Sequence, residues 1–319
     1  MYGAIIGDIV GSRWEFNPTN DYNFEWLSSE NGFTDDTICT IAVADALING
    51  KDYGESMHEW CRRYPHPMGG YGGRFRQWVH SENPLPYGSF GNGSAMRVSP
   101  VAFWYDTEKE VLEAAAATAN PTHNHPEGVK GAKTVALAIF KAMSYHRYRE
   151  APWHIDEILQ ACVDFSGYDI NMPKSSVLNK FDETCQGTVP VALKIISMAT
   201  CYEDAVRMAV SLGADADTLG AIVGSIAEAI WGIPLAMSQV IERQYLPEEM
   251  REVLRQFHHK SPVSFKHLID TTFSEKTYTE AAWDTLDEAE RSELMSIVDQ
   301  EKDDARSFMA ERAKARENW

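Results

Sequence analysis

The chain has 319 residues, 44% of them hydrophobic, with 29 Lys+Arg against 47 Asp+Glu, a formal net charge of −18. A surplus of acid this large argues against broad non-specific nucleic-acid binding and against docking on an anionic membrane. The length suits one large domain with an appendage, and the apolar content supplies a sizeable core.

The N-terminal stretch "MYGAIIGDIVGSRWEF" is apolar but is interrupted by Asp8 and ends in an acidic residue, Glu15. It lacks the basic start of a signal peptide. No segment reaches the ~18 uninterrupted apolar residues of a membrane span. The five cysteines, Cys39, Cys61, Cys162, Cys185 and Cys201, are odd in number, scattered and free of C-x-x-C spacing. That pattern predicts reduced thiols and a cytoplasmic protein.

Helical periodicity then dominates. "TDDTICTIAVADALING" (Thr34–Gly50) carries one apolar face and ends in Asn49-Gly50, a helix stop. Its first residues, Thr34, Asp35 and Asp36, put a hydroxyl and two carboxylates at the helix mouth. Neighbouring residues on a helix diverge by about 100°, so two adjacent carboxylates suit two ions side by side better than one. "MGGYGGRFRQW" and "ENPLPYGSFGNGS" read as irregular, glycine-rich segments. In the second, Gly91, Gly93 and Ser94 would let backbone N–H groups approach an anion, although an ordinary tight turn explains them equally. Helices are predicted over Lys109–Asn120 and Gly128–Arg147, then over "VPVALKIISMA" and "YEDAVRMAVSLG". Between them "THNHPEG" carries His123 and His125, a pair more often structural than catalytic.

"GADADTLGAIVGSIAEAIWG" (Gly213–Gly232) places Asp215 and Asp217 ahead of a run of small and apolar residues. Taken alone, the two aspartates read as caps of a helix N-terminus. The small residues Gly220, Ala221, Gly224, Ser225 and Ala227 predict close helix packing, which would set that mouth inside a cleft. Three acidic mouths with hydroxyl neighbours make an oxygen-only donor set, suited to Mg²⁺, Mn²⁺ or Ca²⁺, and no Cys/His spacing suggests zinc. From Ser274 to Trp319 the chain becomes highly charged and reads as a helical C-terminal extension, leaving residues 1–273 as the main domain.

Taken in order, the blocks "GAIIGDIVGSRWEF", "FTDDT", "GNGSAMR", "THNHPEG" and "GADADTLGAIVGSIAEAIWG" resemble the ADP-ribosylglycohydrolase family, which includes the dinitrogenase-reductase-activating glycohydrolases and the ADP-ribosyl-acceptor hydrolases. The resemblance spans Tyr2 to about Pro234. It implies an all-α, mostly orthogonal multi-helix fold around a central cleft with two divalent cations, Mg²⁺ or Mn²⁺. It also implies hydrolysis of the bond between ADP-ribose and an acceptor, with ADP-ribose or an ADP-ribosylated macromolecule as partner.

Carried across, Thr34, Asp35 and Asp36 look like one half of the metal site, and Asp215, Asp217 and Thr218 like the other, with Asp217 bridging. Glu15, Asp35 and Asp36 are the candidate catalytic carboxylates. Asn92, Gly93 and Ser94 match the phosphate loop, and His123 and His125 the histidine loop that lines the cleft. The chain departs from the commoner Gly-Gly-Asp-Thr-Asp-Thr motif at Ala214 and Ala216, and it has no acidic residue between His66 and Glu82. Arginine is the favoured acceptor linkage. A serine, acetyl-ester or nucleic-acid conjugate, or an inactive binding or immunity-type relative, are the alternatives, and the oligomeric state stays open.

Overall fold

The computed structural model describes residues 1–147, 155–233, 235–261 and 310–319. Among them the architecture is all-α, and the one β feature is an isolated bridge between Gly91 and Thr184. The helices are α1 (Tyr2–Gly11), α2 (Asp35–Asn49), α3 (Tyr53–Arg63), α4 (Gly73–His80), α5 (Gly93–Met96), α6 (Ser99–Trp104) and α7 (Glu108–Ala119). They continue as α8 (Pro126–Arg147), α9 (Ile155–Ser166), α10 (Cys185–Met198), α11 (Tyr202–Val210), α12 (Ala216–Trp231), α13 (Leu235–Gln244) and α14 (Glu248–Lys260).

Local chemistry sets several ends as the sequence predicts. Thr34 caps α2, its hydroxyl accepting from the Asp36 N–H at 3.2 Å, and Gly50 closes the helix in the left-handed region at φ 63°. Thr107 and Thr184 cap α7 and α10 in the same way. One expectation is corrected: the second half of the "MGGYGGRFRQW" stretch is not irregular. Residues from Gly73 onward form α4, because Phe75, Trp78 and Val79 share an apolar face that buries against the core.

Two long helices organise the core. α8 is packed by α5, α6, α7, α9, α10 and α12, while α1 lies along α12 over its length. Small residues make that second contact possible. Gly3, Gly7 and Gly11 of α1 face Ala216, Gly220 and Gly224 of α12, both stripes at a spacing of four. With no side chains between them the two backbones touch, so the C-terminal end of α1 and the N-terminal end of α12 share one place in the molecule.

The boundary near residue 273 and the stretch 274–309 lie outside the described residues. The last residues form a short helix, 310–317, held to the body by Arg316, which donates to Asp204 at 2.8 Å, and by Arg312, which donates to Asp156 at 3.2 Å. No helix among the described residues is long and apolar enough to cross a membrane.

Candidate active site

The α1–α12 contact brings two of the acidic stretches together, and hydrogen bonds from the start of α2 to Asp8 add the third. Asp8 sits on α1, fully buried, and both its oxygens are occupied. It accepts from the Thr34 N–H at 3.0 Å, the Thr34 hydroxyl at 2.8 Å and the Thr37 N–H at 3.1 Å, and from the Thr37 hydroxyl as well. One carboxylate of α1 thereby ties down the mouth of α2 and aims Asp36 inward. The sequence marked Asp8 as an acid within an apolar helix but not this role.

Asp36 is 2% exposed. Its Oδ1 accepts from the Thr218 hydroxyl at 3.4 Å, and its Oδ2 has no partner. Asp217, in the first turn of α12, is 3% exposed, and its Oδ1 is likewise buried and unpartnered. Asp215 stands at the N-cap position of α12 yet makes no capping hydrogen bond. Its Oδ2 instead accepts from the Asn92 side chain at 2.8 Å. Capping alone therefore does not explain the pair.

Glu15, half-buried at the end of a 3₁₀ turn (Ser12–Trp14), keeps Oε2 buried without a partner. Above it lies Gly69, in the left-handed region at φ 75°, where a β-carbon would come within 2.3 Å of Glu15 Oε2. Asp35 is half-buried and is not a member of either tight acidic group.

Those groups share one member. Asp8, Asp36 and Asp217 place carboxylate oxygens within 4.8 Å of one another, and so do Glu15, Asp215 and Asp217. Charges packed this closely resist ionisation. Burial, with neighbouring carboxylates adding to it, raises Glu15 to about 8 and Asp35 to about 7, and holds Asp36 and Asp217 well above the usual range. Burial also raises Asp8 and Asp215 to about 6 against the hydrogen bonds that favour their charged forms.

An unpartnered buried carboxylate oxygen is costly, and three of them in two acidic groups that share Asp217 suit a cation. Oxygen donors alone, with the Thr34 and Thr218 hydroxyls beside them, fit a hard divalent ion. Asp36, Asp217, Asp215 and Glu15 have the most free acceptor capacity, whereas Asp8 already accepts from four donors, three of them at Oδ2, and orients the mouth of α2.

The remaining predicted residues line the neighbouring wall. Asn92 donates from Nδ2 to Asp215 and to the Thr188 hydroxyl at 3.1 Å, so its amide anchors an acid of the cluster. The Ser94 hydroxyl turns inward to the Gly128 carbonyl at 2.7 Å, which leaves Gly93 and Ser94 only their backbone N–H groups for a ligand. His123 is buried with Nε2 against Gly91 and Gly93. His125 accepts the Glu127 N–H at 3.1 Å, helping to start α8, and its ring packs on Phe90. Tyr71 and Phe75 of the glycine-rich stretch are buried in the core, while Phe90 is 42% exposed beside the loop.

Fold and site together define an all-α protein with a buried cluster of carboxylates suited to a hard cation. Residues 1–270 match the ADP-ribosylglycohydrolase family, and the chain belongs to it, a family of hydrolytic enzymes that act on ADP-ribose conjugates. ADP-ribosylhydrolase ARH3 of Mus musculus is 25% identical, over 73% of this chain and 83% of that protein. ADP-ribosyl-[dinitrogen reductase] glycohydrolase of Rhodospirillum rubrum is 25% identical over 80% of this chain and 91% of its own length. ADP-ribosylarginine hydrolase Tri1 of Pseudomonas putida is 22% identical over 82% and 77%. A solved structure described as an ADP-ribosylglycohydrolase-related protein complex superposes with a TM-score of 0.62 at 24% identity. It covers 81% of this chain and 95% of that one, and it shares the fold.

Proposed function

We propose that this protein hydrolyses the glycosidic bond between ADP-ribose and an arginine side chain of a modified protein, in the cytoplasm, with two divalent cations, Mg²⁺ or Mn²⁺. The observation that carries the reading is the trio of buried, unpartnered oxygens, Glu15 Oε2, Asp36 Oδ2 and Asp217 Oδ1, contributed by three separate segments to two acidic groups that share Asp217. Thr34, Asp35, Asp36, Asp215, Asp217 and Thr218 would hold the cations, with Asp217, common to both acidic groups, between them. Bound there, the ions supply positive charge that neutralises the cluster and orients the ribose hydroxyls.

The chain's own groups do the rest. Backbone N–H groups at Gly93 and Ser94 bind the diphosphate, and Phe90, 42% exposed, stacks on adenine. Glu15 is the carboxyl that passes a proton to the leaving nitrogen as the bond to ribose C1″ lengthens. Water adds to C1″ and returns a proton to the carboxylates. Asp35 and Asp36 are the further candidate carboxyls for this exchange. Arginine is favoured by the ADP-ribosylarginine hydrolase among the relatives. Five free cysteines, with the Cys39 and Cys61 thiols in hydrogen-bond contact at 3.8 Å, support a reducing compartment.

The test is a panel of ADP-ribosylated arginine, serine, acetyl-ester and nucleic-acid substrates with and without Mg²⁺ or Mn²⁺. Cation-dependent release from arginine is expected. Release only from another conjugate would move the acceptor assignment, and release from none would leave an ADP-ribose-binding or immunity-type protein.

A further inference from the structure

Beneath the Gly91–Gly93 turn lies a buried hydrogen-bonded chain that neither the acidic cluster nor the cation site uses. Arg97 is 1% exposed, and its Nη2 donates to the Thr118 carbonyl at 2.9 Å and to the Thr122 hydroxyl at 2.7 Å. Thr122 is fully buried, and its Oγ1 lies 2.7 Å from His123 Nδ1.

A guanidinium can only donate, so Thr122 Oγ1 accepts from Arg97. The Thr122 hydroxyl then has one proton to give. Among the described residues the one other side-chain partner at that oxygen is His123 Nδ1. An Nδ1–H donating into the oxygen's second lone pair would leave the buried Thr122 proton with no acceptor. Nδ1 is therefore bare, and the neutral ring carries its proton on Nε2, a tautomer assigned from its partners. Nε2 faces the turn: a β-carbon on Gly93 would lie 3.1 Å from it, and one on Gly91 3.4 Å. Burial, with the Arg97 charge adding to it, holds His123 well below the ordinary histidine range, so the ring stays neutral.

We propose that Thr122, committed as a donor by Arg97, is a positioning residue that locks His123 in the Nε2–H form, so that the ring presents a fixed N–H to an anionic phosphate oxygen seated at the Gly91–Gly93 turn. The phosphate rests on the ADP-ribose reading above, whereas the tautomer rests on the hydrogen-bonded chain alone. In the alternative form Nε2 would be an acceptor and would repel the same oxygen.

The test uses the full chain labelled with ¹⁵N-histidine, with His123 assigned by the signals lost in His123→Gln. A bare Nδ1 and a protonated Nε2 are expected in the wild type. Thr122→Val, close in shape but without a hydroxyl, should bring in the Nδ1–H form, and Thr122→Ser should restore the wild-type pattern. Calorimetric titration with ADP should show Thr122→Val weakened about tenfold, as for one hydrogen bond to a charged group, and Thr122→Ser within about twofold. In turnover the loss should fall on KM and not on kcat. An Nδ1–H ring in the wild type, or ADP affinity untouched by Thr122→Val, overturns the proposal. A wild type that binds neither ADP nor ADP-ribose overturns the function reading and the phosphate with it, while the nitrogen spectrum still decides the tautomer lock separately.

Discussion

Gly7 of α1 and Gly220 of α12 meet backbone to backbone: a β-carbon on Gly7 would lie 2.0 Å from the Gly220 carbonyl oxygen. No rotamer change relieves that overlap, because the obstacle is main chain. Gly7→Ala must push the helices apart and should cost on the order of 3 kcal/mol, the upper range for overpacking. It should also weaken cation binding, because the same contact brings Asp8 and Glu15 to Asp217. Urea unfolding measures the first effect, and a wild-type midpoint would show that the helices slide freely.

The acidic cluster opposes folding until its charge is neutralised. Mg²⁺ or Mn²⁺ should raise the melting temperature of the wild type, and a chelator should reverse it. Asp36→Asn and Asp217→Asn should each melt higher than the wild type in chelator, lose most of the cation-dependent rise and lose ADP-ribose release. Near wild-type turnover in both variants would remove the cluster from the chemistry.

Gly69 covers Glu15. An alanine there meets both a left-handed backbone and a carboxylate oxygen 2.3 Å away, so Glu15 or the turn must move. Gly69→Ala should lower kcat at least about tenfold, as misplacing a reacting group does, with little change in ADP-ribose affinity. Unchanged kcat would mean that Glu15 needs no fixed seat.

Away from the cleft, Asp45 accepts from Trp60 Nε1 at 3.1 Å, Lys51 Nζ at 3.1 Å and Asn49 Nδ2 at 2.7 Å. Burial pulls its carboxyl upward, but these donors and the Lys51 charge outweigh it and hold it below the ordinary value. A lowered folded value contributes stability above the unfolded pKa of about 4 and loses it as pH falls through the folded one. Asp45→Asn should therefore be less stable than the wild type by about 1–3 kcal/mol near neutral pH, and the gap should close in acid. Urea curves at both extremes decide this, and an equal gap at each would rule out the charged form as the cause.

Deleting residues 310–319 strips Arg316 from Asp204, a carboxylate only 6% exposed. The truncated chain should unfold at lower denaturant by about 1–3 kcal/mol yet keep hydrolysis, since nothing in that helix reaches the cleft. Loss of activity with an unchanged fold would tie the terminal helix to function.

The sequence by itself determined the helical class, most of the helix ends and the residue types of the site. Periodicity, caps and stops act within a few residues and so can be read in order along the chain. Thr34 and Gly50, for example, begin and end α2 as their chemistry requires. The ordered motifs also carried the family, because each holds its functional groups within a short block. α4 was missed because its glycine-rich start masks an apolar face that only packing reveals.

Tertiary structure alone decided what each group faces. Asp8 is joined to α2 across 26 residues and Asn92 to Asp215 across 123, separations that local pattern does not encode. It turned the Ser94 hydroxyl inward, set Asp35 outside the tight groups and aimed His123 at the turn. The physical reason is the glycine stripe: two backbones in contact place the ends of α1 and α12 together, and the carboxylates converge because the helices that carry them have no room to do otherwise.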